Sequence, residues 1–330
     1  MLLDHIAPIE QAPLRLADAP TPVPGQGELR VRVACCAVCR TDLHIIEGDL
    51  PAPHLPRIPG HQIVGAVDAL GPGCTRFKIG QRVGAAWLRH TCGQCRYCTT
   101  DRENLCPQSQ YTGYHVDGGY AEFAIVPQDF AYSIPEVFDD ISAAPLLCAG
   151  IIGYRALNRS GLGPRDRLAI FGFGSSAHII LQIAIHRGHE VYVVSRSPNH
   201  QQLARTLGAA WVGDDASRMP AKADAAILFA PAGSIVPAAL ESLAPGGRLS
   251  LAGIHMTPIP TLDYNRHLYG ERDIHPVTAN TRTDAMELLA EAAAARVRPH
   301  TVTYPLSDAN RALRDMKSSQ LDGTGVLDCR

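Results

Sequence analysis

The sequence predicts a two-part α/β protein: a mostly β first half, then a doubly wound domain built on a parallel sheet. Three observations carry this reading. Short β-rich runs separated by Gly-, Pro- and Asp-rich turns fill the chain up to about Cys148, and from about Asp166 apolar strands alternate with helices. A chain of 330 residues, 46% of them hydrophobic, is also long enough for about two domains with large cores.

In chain order, "LRVRVACCAV", "QIVGAVDAL" and "GYAEFAIVP" read as strands of the first half. In the second half "RLAIFGFG", "EVYVVSR", "AAWVG", "ADAAILFAPAG" and "RLSLAGI" read as strands. Between them "SSAHIILQIAIHRG", "NHQQLARTLG" and "IVPAALESLAPGG" read as helices. Strands that are apolar on both faces belong to a parallel sheet covered by helices on each side. After "DIHPVTANT" an alanine-rich helix, "DAMELLAEAAAA", precedes "HTVTYPLSDANRALRDM" and the apolar run "GTGVLDC". The expected divisions are 1–149 for the first domain, 150–280 for the doubly wound domain, and 281–330 for a tail that returns to the first.

Composition removes several classes of function. No apolar run approaches the roughly 20 residues of a membrane span, and "MLLDHIAPIEQAPLRL" lacks the basic flank and apolar block of a secretory signal. The expectation is a cytoplasmic protein with no membrane partner. A net charge of -2 and a pI near 6.7 supply no basic field for a phosphate backbone, so nucleic acid is not an expected partner. In a reducing compartment the ten cysteines read as metal ligands, nucleophiles or core residues, not as a disulfide framework.

Four of them, Cys92, Cys95, Cys98 and Cys106, follow C-x2-C-x2-C-x7-C in "TCGQCRYCTTDRENLC". Four thiolates close a tetrahedral zinc shell with no place for water, which makes such an ion structural. An iron–sulfur cluster also takes four cysteines, but the chain has no second electron-transfer feature. Unrelated surface cysteines are the plain alternative.

The cofactor signal is "AIFGFGSSAH", a strand, a turn and a helix. Gly172, Gly174 and Ala177 satisfy G-x-G-x-x-A, in which glycines permit the tight turn and the approach of backbone to pyrophosphate at a helix N-terminus. His178 reads as a helix-start residue and not as an acid. About 20 positions on, NAD-binding chains place an acidic residue for the ribose hydroxyls. This chain has Ser195 and Arg196 there. A hydroxyl and a guanidinium suit a 2'-phosphate, so the expected cofactor is NADP(H) in preference to NAD(H).

Three further segments carry reactive residues: "AVCRTDLH" with Cys39, "PGHQIVG" with His61, and "PLLCAGIIGYRAL" with Cys148. Two thiolates and an imidazole leave a fourth zinc position open, the ligand set known from alcohol dehydrogenases. Singly, Cys39 or Cys148 reads as a buried small hydrophobe. In this order, with the ladder and the glycine turn, the whole chain resembles the zinc-dependent medium-chain alcohol dehydrogenases, and "WLRHTCGQCRYC" resembles their yeast and bacterial branch.

The resemblance implies a GroES-like catalytic domain beside a Rossmann domain, two zinc ions per subunit, and a homo-oligomer, either dimer or tetramer. It implies that Cys39, His61 and Cys148 bind the catalytic zinc, while Cys92, Cys95, Cys98 and Cys106 bind the structural one. Thr41 matches the residue that hydrogen-bonds the reacting alcohol, and His44 matches the outer proton relay. Asp42 matches the carboxylate that orients the zinc-binding histidine, here His61. Arg40 matches a pyrophosphate contact. Gln62 departs from the family, which has glutamate there; a neutral amide leaves the metal more electrophilic and disfavours ligand exchange. Trp87 stands at an aromatic pocket position, and Leu50 stands where the yeast-like branch often has a second tryptophan. Losing an indole widens the pocket, so a primary alcohol or aldehyde larger than ethanol, bulky or aromatic, is the expected substrate. Ile152 and Thr324 also depart from common family choices, the latter where an arginine often meets phosphate. Two alternatives stand beside this reading: a zinc-independent carbonyl or enone reductase of the same superfamily, and a non-catalytic zinc-ribbon module.

Overall fold

Alternating burial along Glu28–Ala37 makes this strand the spine of the first sheet: Leu29, Val31 and Val33 point into the core while Arg32 is exposed. The computed structural model describes all residues, Met1–Arg330. One compact unit comprises Met1–Ala149, Ala279–Ala293 and Pro299–Arg330; the other comprises Gly150–Thr278 and Ala294–Arg298. The first unit holds a seven-stranded sheet in the order Thr301–Pro305, Thr324–Asp328, Glu28–Ala37, Gln62–Leu70, Arg82–Ala85 and Ala131–Ser133, with Phe123–Pro127 also paired to Glu28–Ala37. All these pairings are antiparallel except that of Thr301–Pro305 with Thr324–Asp328. Glycine is required at position 65, where a Cβ would sit 2.2 Å from the Arg32 carbonyl oxygen on the neighbouring strand.

Only part of "GYAEFAIVP" is strand. Pairing begins at Phe123, and Gly118–Tyr120 instead bonds to another loop: the Gly118, Gly119 and Tyr120 amides donate to Ile58, Gly60 and Pro59 at 2.7, 2.9 and 3.0 Å. A Cβ on Gly118 would stand 2.0 Å from the Gly60 oxygen, so the two loops lie backbone against backbone. Another long-range tie enters the cysteine ladder. Glu103, between Cys98 and Cys106, accepts from the Arg282 amide at 2.7 Å and from its guanidinium at 2.7 to 3.1 Å. Arg282 also covers the Phe130 ring, 4.8 Å from its centroid.

The second unit is a six-stranded parallel sheet in the order Trp211–Gly213, Glu190–Val194, Arg167–Phe171, Ala223–Leu228, Leu243–Leu251, Asp273–Pro276. Numbered along the chain this is 3-2-1-4-5-6, the strand order of dinucleotide-binding sheets. The run Leu168–Phe171 is buried throughout, as a central strand covered on both faces must be. The segment "IVPAALESLAPGG" divides differently from its sequence pattern: the helix is only Val236–Glu241, and the following strand already begins at Leu243. Its Pro-Gly-Gly lies within that strand, where the register against Ala223–Leu228 shifts. No single helix in the chain is long and apolar enough to cross a membrane.

Glu103 is almost wholly buried, whereas Arg282 keeps 37% of its side-chain surface. Removing the guanidinium leaves a carboxylate without its cation, at a cost of about 2 kcal/mol after discounting for the partner's exposure. Arg282→Ala is accordingly expected to lower Tm by about 4–8 °C, measured by calorimetry.

Candidate active site

The helix Arg40–Glu47 is anchored at its start by a carboxylate, and that anchor also builds the site. Asp42 Oδ2 accepts from the Cys39 amide at 2.9 Å, satisfying a first-turn N–H that has no partner within the helix. Its other oxygen, Oδ1, lies 2.9 Å from His61 Nδ1, and both side chains are fully buried. With Nδ1 committed to the carboxylate, His61 Nε2 is the ring atom left to face something else. That atom is buried and has no hydrogen-bond partner.

Cys39 and Cys148 lie next to it. Their sulfurs are 3.9 Å apart, and the ligand atoms of Cys39, His61 and Cys148 all fall within 4.8 Å of one another. Two sulfurs at tetrahedral zinc stand about 3.7 Å apart, given Zn–S bonds of about 2.3 Å. The donor set therefore fits zinc with one position left open. Burial draws the His61 imidazole down, but Asp42 and Cys39 outweigh it and push the ring up to about 10. Between the thiols, Cys148 is pushed well above its usual range by its hydrogen bond to Cys39, and Cys39 is held well below. Bound zinc would displace protons that these groups otherwise share.

The four-cysteine ladder fits zinc with no open position. Sulfur separations are 3.6 Å for Cys92–Cys106, 3.6 Å for Cys95–Cys98 and 3.9 Å for Cys92–Cys98. Amides of Cys92, Cys95 and Gln108 point at sulfur from 3.3 to 3.4 Å. The backbone groups of Gln94 and Cys95 lower the Cys92 thiol to about 6.

Around the three-ligand site, Thr41 is buried with Oγ1 3.6 Å from Cys39 Sγ. His44 Nδ1 sits 2.9 Å from Asp49 Oδ2. The Gln62 amide donates to the Ala37 and Val38 carbonyls at 3.2 and 3.3 Å, while its Oε1 is buried without a partner. Trp87 meets His61 edge-on at 4.9 Å and stacks on Tyr111 at 4.8 Å, with Tyr114 at 6.0 Å. Leu50 packs half-buried against the first unit's core. Arg40 is exposed. Thr324 is buried at the start of its strand.

In the second unit Gly172 takes φ +82° beside Ala230, and Gly174 is the N-cap of the helix Ser175–His186. A Cβ on Gly174 would meet nothing within 4 Å, leaving open space at a helix N-terminus of the kind a pyrophosphate fills. Ala177 is buried, and His178 Nδ1 lies 3.1 Å from the Gly174 oxygen, a local helix-start contact. Ser195 is buried at the end of Glu190–Val194, and Arg196 is exposed.

The sequence reading missed Tyr120, whose hydroxyl donates to Asp42 Oδ2 at 2.9 Å, as well as Asp49, Tyr111 and Tyr114. Burial, then Asp42, hold the Tyr120 phenol well above its ordinary range, so it stays a donor. The only hint was its place after paired glycines in "DGGYAE".

Residues 25–136 match the family described as alcohol dehydrogenase GroES-like domain, and residues 177–294 match that described as zinc-binding dehydrogenase. The chain is 50% identical over 325 residues to "Probable alcohol dehydrogenase AdhA" of Mycobacterium tuberculosis, covering 97% of this chain and 94% of that protein. Among solved structures it is similar to a cobalt- and zinc-bound thermostable alcohol dehydrogenase from Pyrobaculum aerophilum, with TM-score 0.88, 28% identity, and coverage of 99% and 98% of the two chains. It is similar also to the cinnamyl alcohol dehydrogenase SbCAD4 from Sorghum bicolor, with TM-score 0.86, 29% identity, and coverage of 94% and 92%.

Elemental analysis of the purified protein is expected to find two zinc ions per chain. Cys148→Ser is expected to hold one, because the ladder shares no ligand with the three-residue site.

Proposed function

Because the chain belongs to the zinc-dependent medium-chain alcohol dehydrogenase family, we propose that it interconverts a primary alcohol and its aldehyde with NADP(H), using zinc held by Cys39, His61 and Cys148. The observation that carries this reading is the convergence of those three ligand atoms, with His61 Nε2 buried and otherwise unpartnered. When bound, the metal supplies a Lewis acid that brings a hydroxyl pKa toward neutrality, and the nicotinamide supplies or accepts hydride.

The chain's own residues supply the rest. Thr41, beside Cys39, hydrogen-bonds the reacting oxygen and takes its proton. His44 passes that proton outward, and Asp49 holds its Nδ1, so that Nε2 is the nitrogen that accepts. Asp42 fixes the tautomer and plane of His61. Gly172 and Gly174 admit the pyrophosphate, with Arg40 as a further contact, and Ser195 and Arg196 take the 2'-phosphate. Cys92, Cys95, Cys98 and Cys106 hold a second zinc that does no chemistry.

Trp87 and Tyr111 form an aromatic wall next to His61. With Leu50 in place of an indole, that wall favours substrates larger than ethanol, in line with the cinnamyl alcohol dehydrogenase among the similar structures. The three-ligand cluster argues against the zinc-independent alternative, which has no use for it. Gln62 anchors the Ala37 and Val38 carbonyls just before Cys39, an anchorage that a glutamate carboxylate would oppose.

A series of primary alcohols from ethanol to cinnamyl alcohol and the matching aldehydes, each run with both cofactors, tests the reading. The expected result is a kcat/KM that rises with size and favours NADPH over NADH in the aldehyde direction by more than about tenfold, the worth of one charge-assisted bond. A clear NADH preference defeats the cofactor assignment. Gln62→Glu adds negative charge beside the site and is expected to move the rising limb of the pH-rate profile for alcohol oxidation to higher pH. A carboxylate there disfavours loss of the substrate proton.

A further inference from the structure

Asp42 is a fully buried carboxylate that receives hydrogen bonds from three separate stretches of chain, each at 2.9 Å: the Cys39 amide, the His61 ring and the Tyr120 hydroxyl. Two of these donors belong to residues assigned to the catalytic metal; the third belongs to no residue yet given a role. We propose that Tyr120 is a positioning residue for that metal, fixing the Asp42 carboxylate through its hydroxyl and the His61 backbone through its ring. The inference rests on the reading that Cys39, His61 and Cys148 hold zinc.

Both halves of the role are visible. Tyr120 is itself fully buried, so no water stands ready to replace its O–H at Asp42 Oδ2. Without it, that oxygen keeps only the Cys39 amide, and the carboxylate is less constrained in rotation. His61 Nδ1 follows the carboxylate, and its Nε2 is the metal-facing atom. The ring lies on the backbone immediately before His61: a Cβ on Gly60, which has φ +97°, would be 2.3 Å from Tyr120 Cδ1. The Tyr120 amide donates to Pro59 at 3.0 Å and the Gly119 amide to Gly60 at 2.9 Å, closing the clamp on the Pro59-Gly60-His61 turn. A hydroxyl that orients a ligand's carboxylate acts on metal retention, since loss of such partners typically costs about 10–100-fold in affinity.

Tyr120→Phe deletes the hydroxyl and keeps the ring, and the ladder's zinc serves as an internal control within the same chain. Zinc release from the full-length loaded protein to a chromophoric chelator is expected to become biphasic. One ion should leave about 10–100-fold faster than in the parent, and the other at the parental rate. With cobalt at the catalytic site, the visible absorption bands are expected to shift. Two ions leaving at parental rates with an unchanged cobalt spectrum would overturn the role of Tyr120 while leaving the zinc reading intact. Both ions leaving faster together would also overturn it, showing a general loss of packing. A parent protein that binds one ion, unaffected by Cys148→Ser, would overturn the zinc reading and this inference with it.

Discussion

A carboxylate with no access to water is costly to bury unless every oxygen is partnered, and the first unit solves this at Asp42 with donors drawn from positions 39, 61 and 120. Satisfying that one charge brings the Cys39 segment and the His61 segment together. The metal site follows from it: Cys39 is held by its own amide, His61 by its ring, and only Cys148 arrives independently, at the end of the turn Ala144–Leu147. Asp42 thus does for the fold what it does for the chemistry, because the same bond that removes a buried polar cost also commits His61 Nδ1 and turns Nε2 toward the two cysteines.

The two cysteine groups show how surroundings divide one residue type between two tasks. In the ladder, three of four cysteines are partly exposed, and backbone amides aimed at the sulfurs stabilise thiolate character locally. Four sulfurs, with amide donors on those of Cys92 and Cys106, make a self-sufficient shell. At the other site the sulfurs of Cys39 and Cys148 lean on each other, and Cys39 is held low first by that contact and, more weakly, by the backbone at Thr41. Three protein donors leave a bound zinc one open position, which is the condition for a reactive metal.

How far this was legible depended on sequence separation. The ladder could be read as a metal shell because its ligands lie within sixteen residues and spacing alone limits their geometry. The parallel sheet was legible because the central strands are apolar without interruption, although Pro245-Gly246-Gly247 disguised the start of Leu243–Leu251 as a turn. Cys39 and Cys148 are 109 residues apart, and only resemblance to a family joined them. Tyr120 is harder to reach: its bond to Asp42 spans 78 positions, and the paired glycines before it are a weak local sign.

Gln62 shows why a departure from a family pattern needs the structure before it can be read. As a bare substitution of amide for carboxylate, it suggests only a change of charge near the metal. In place, its nitrogen holds the Ala37 and Val38 carbonyls, the last two before Cys39, while its oxygen is buried and unpaired. The amide therefore does two things that glutamate could not do together: it donates to the backbone that presents a metal ligand, and it keeps a neutral acceptor in the interior. An unpaired buried acceptor costs on the order of 1–3 kcal/mol, more than one ordinary hydrogen bond contributes and comparable with two. The residue is thus close to neutral for stability, and its consequence falls on the site, where the Cys39 segment is held without adding a negative charge next to His61 in the chain.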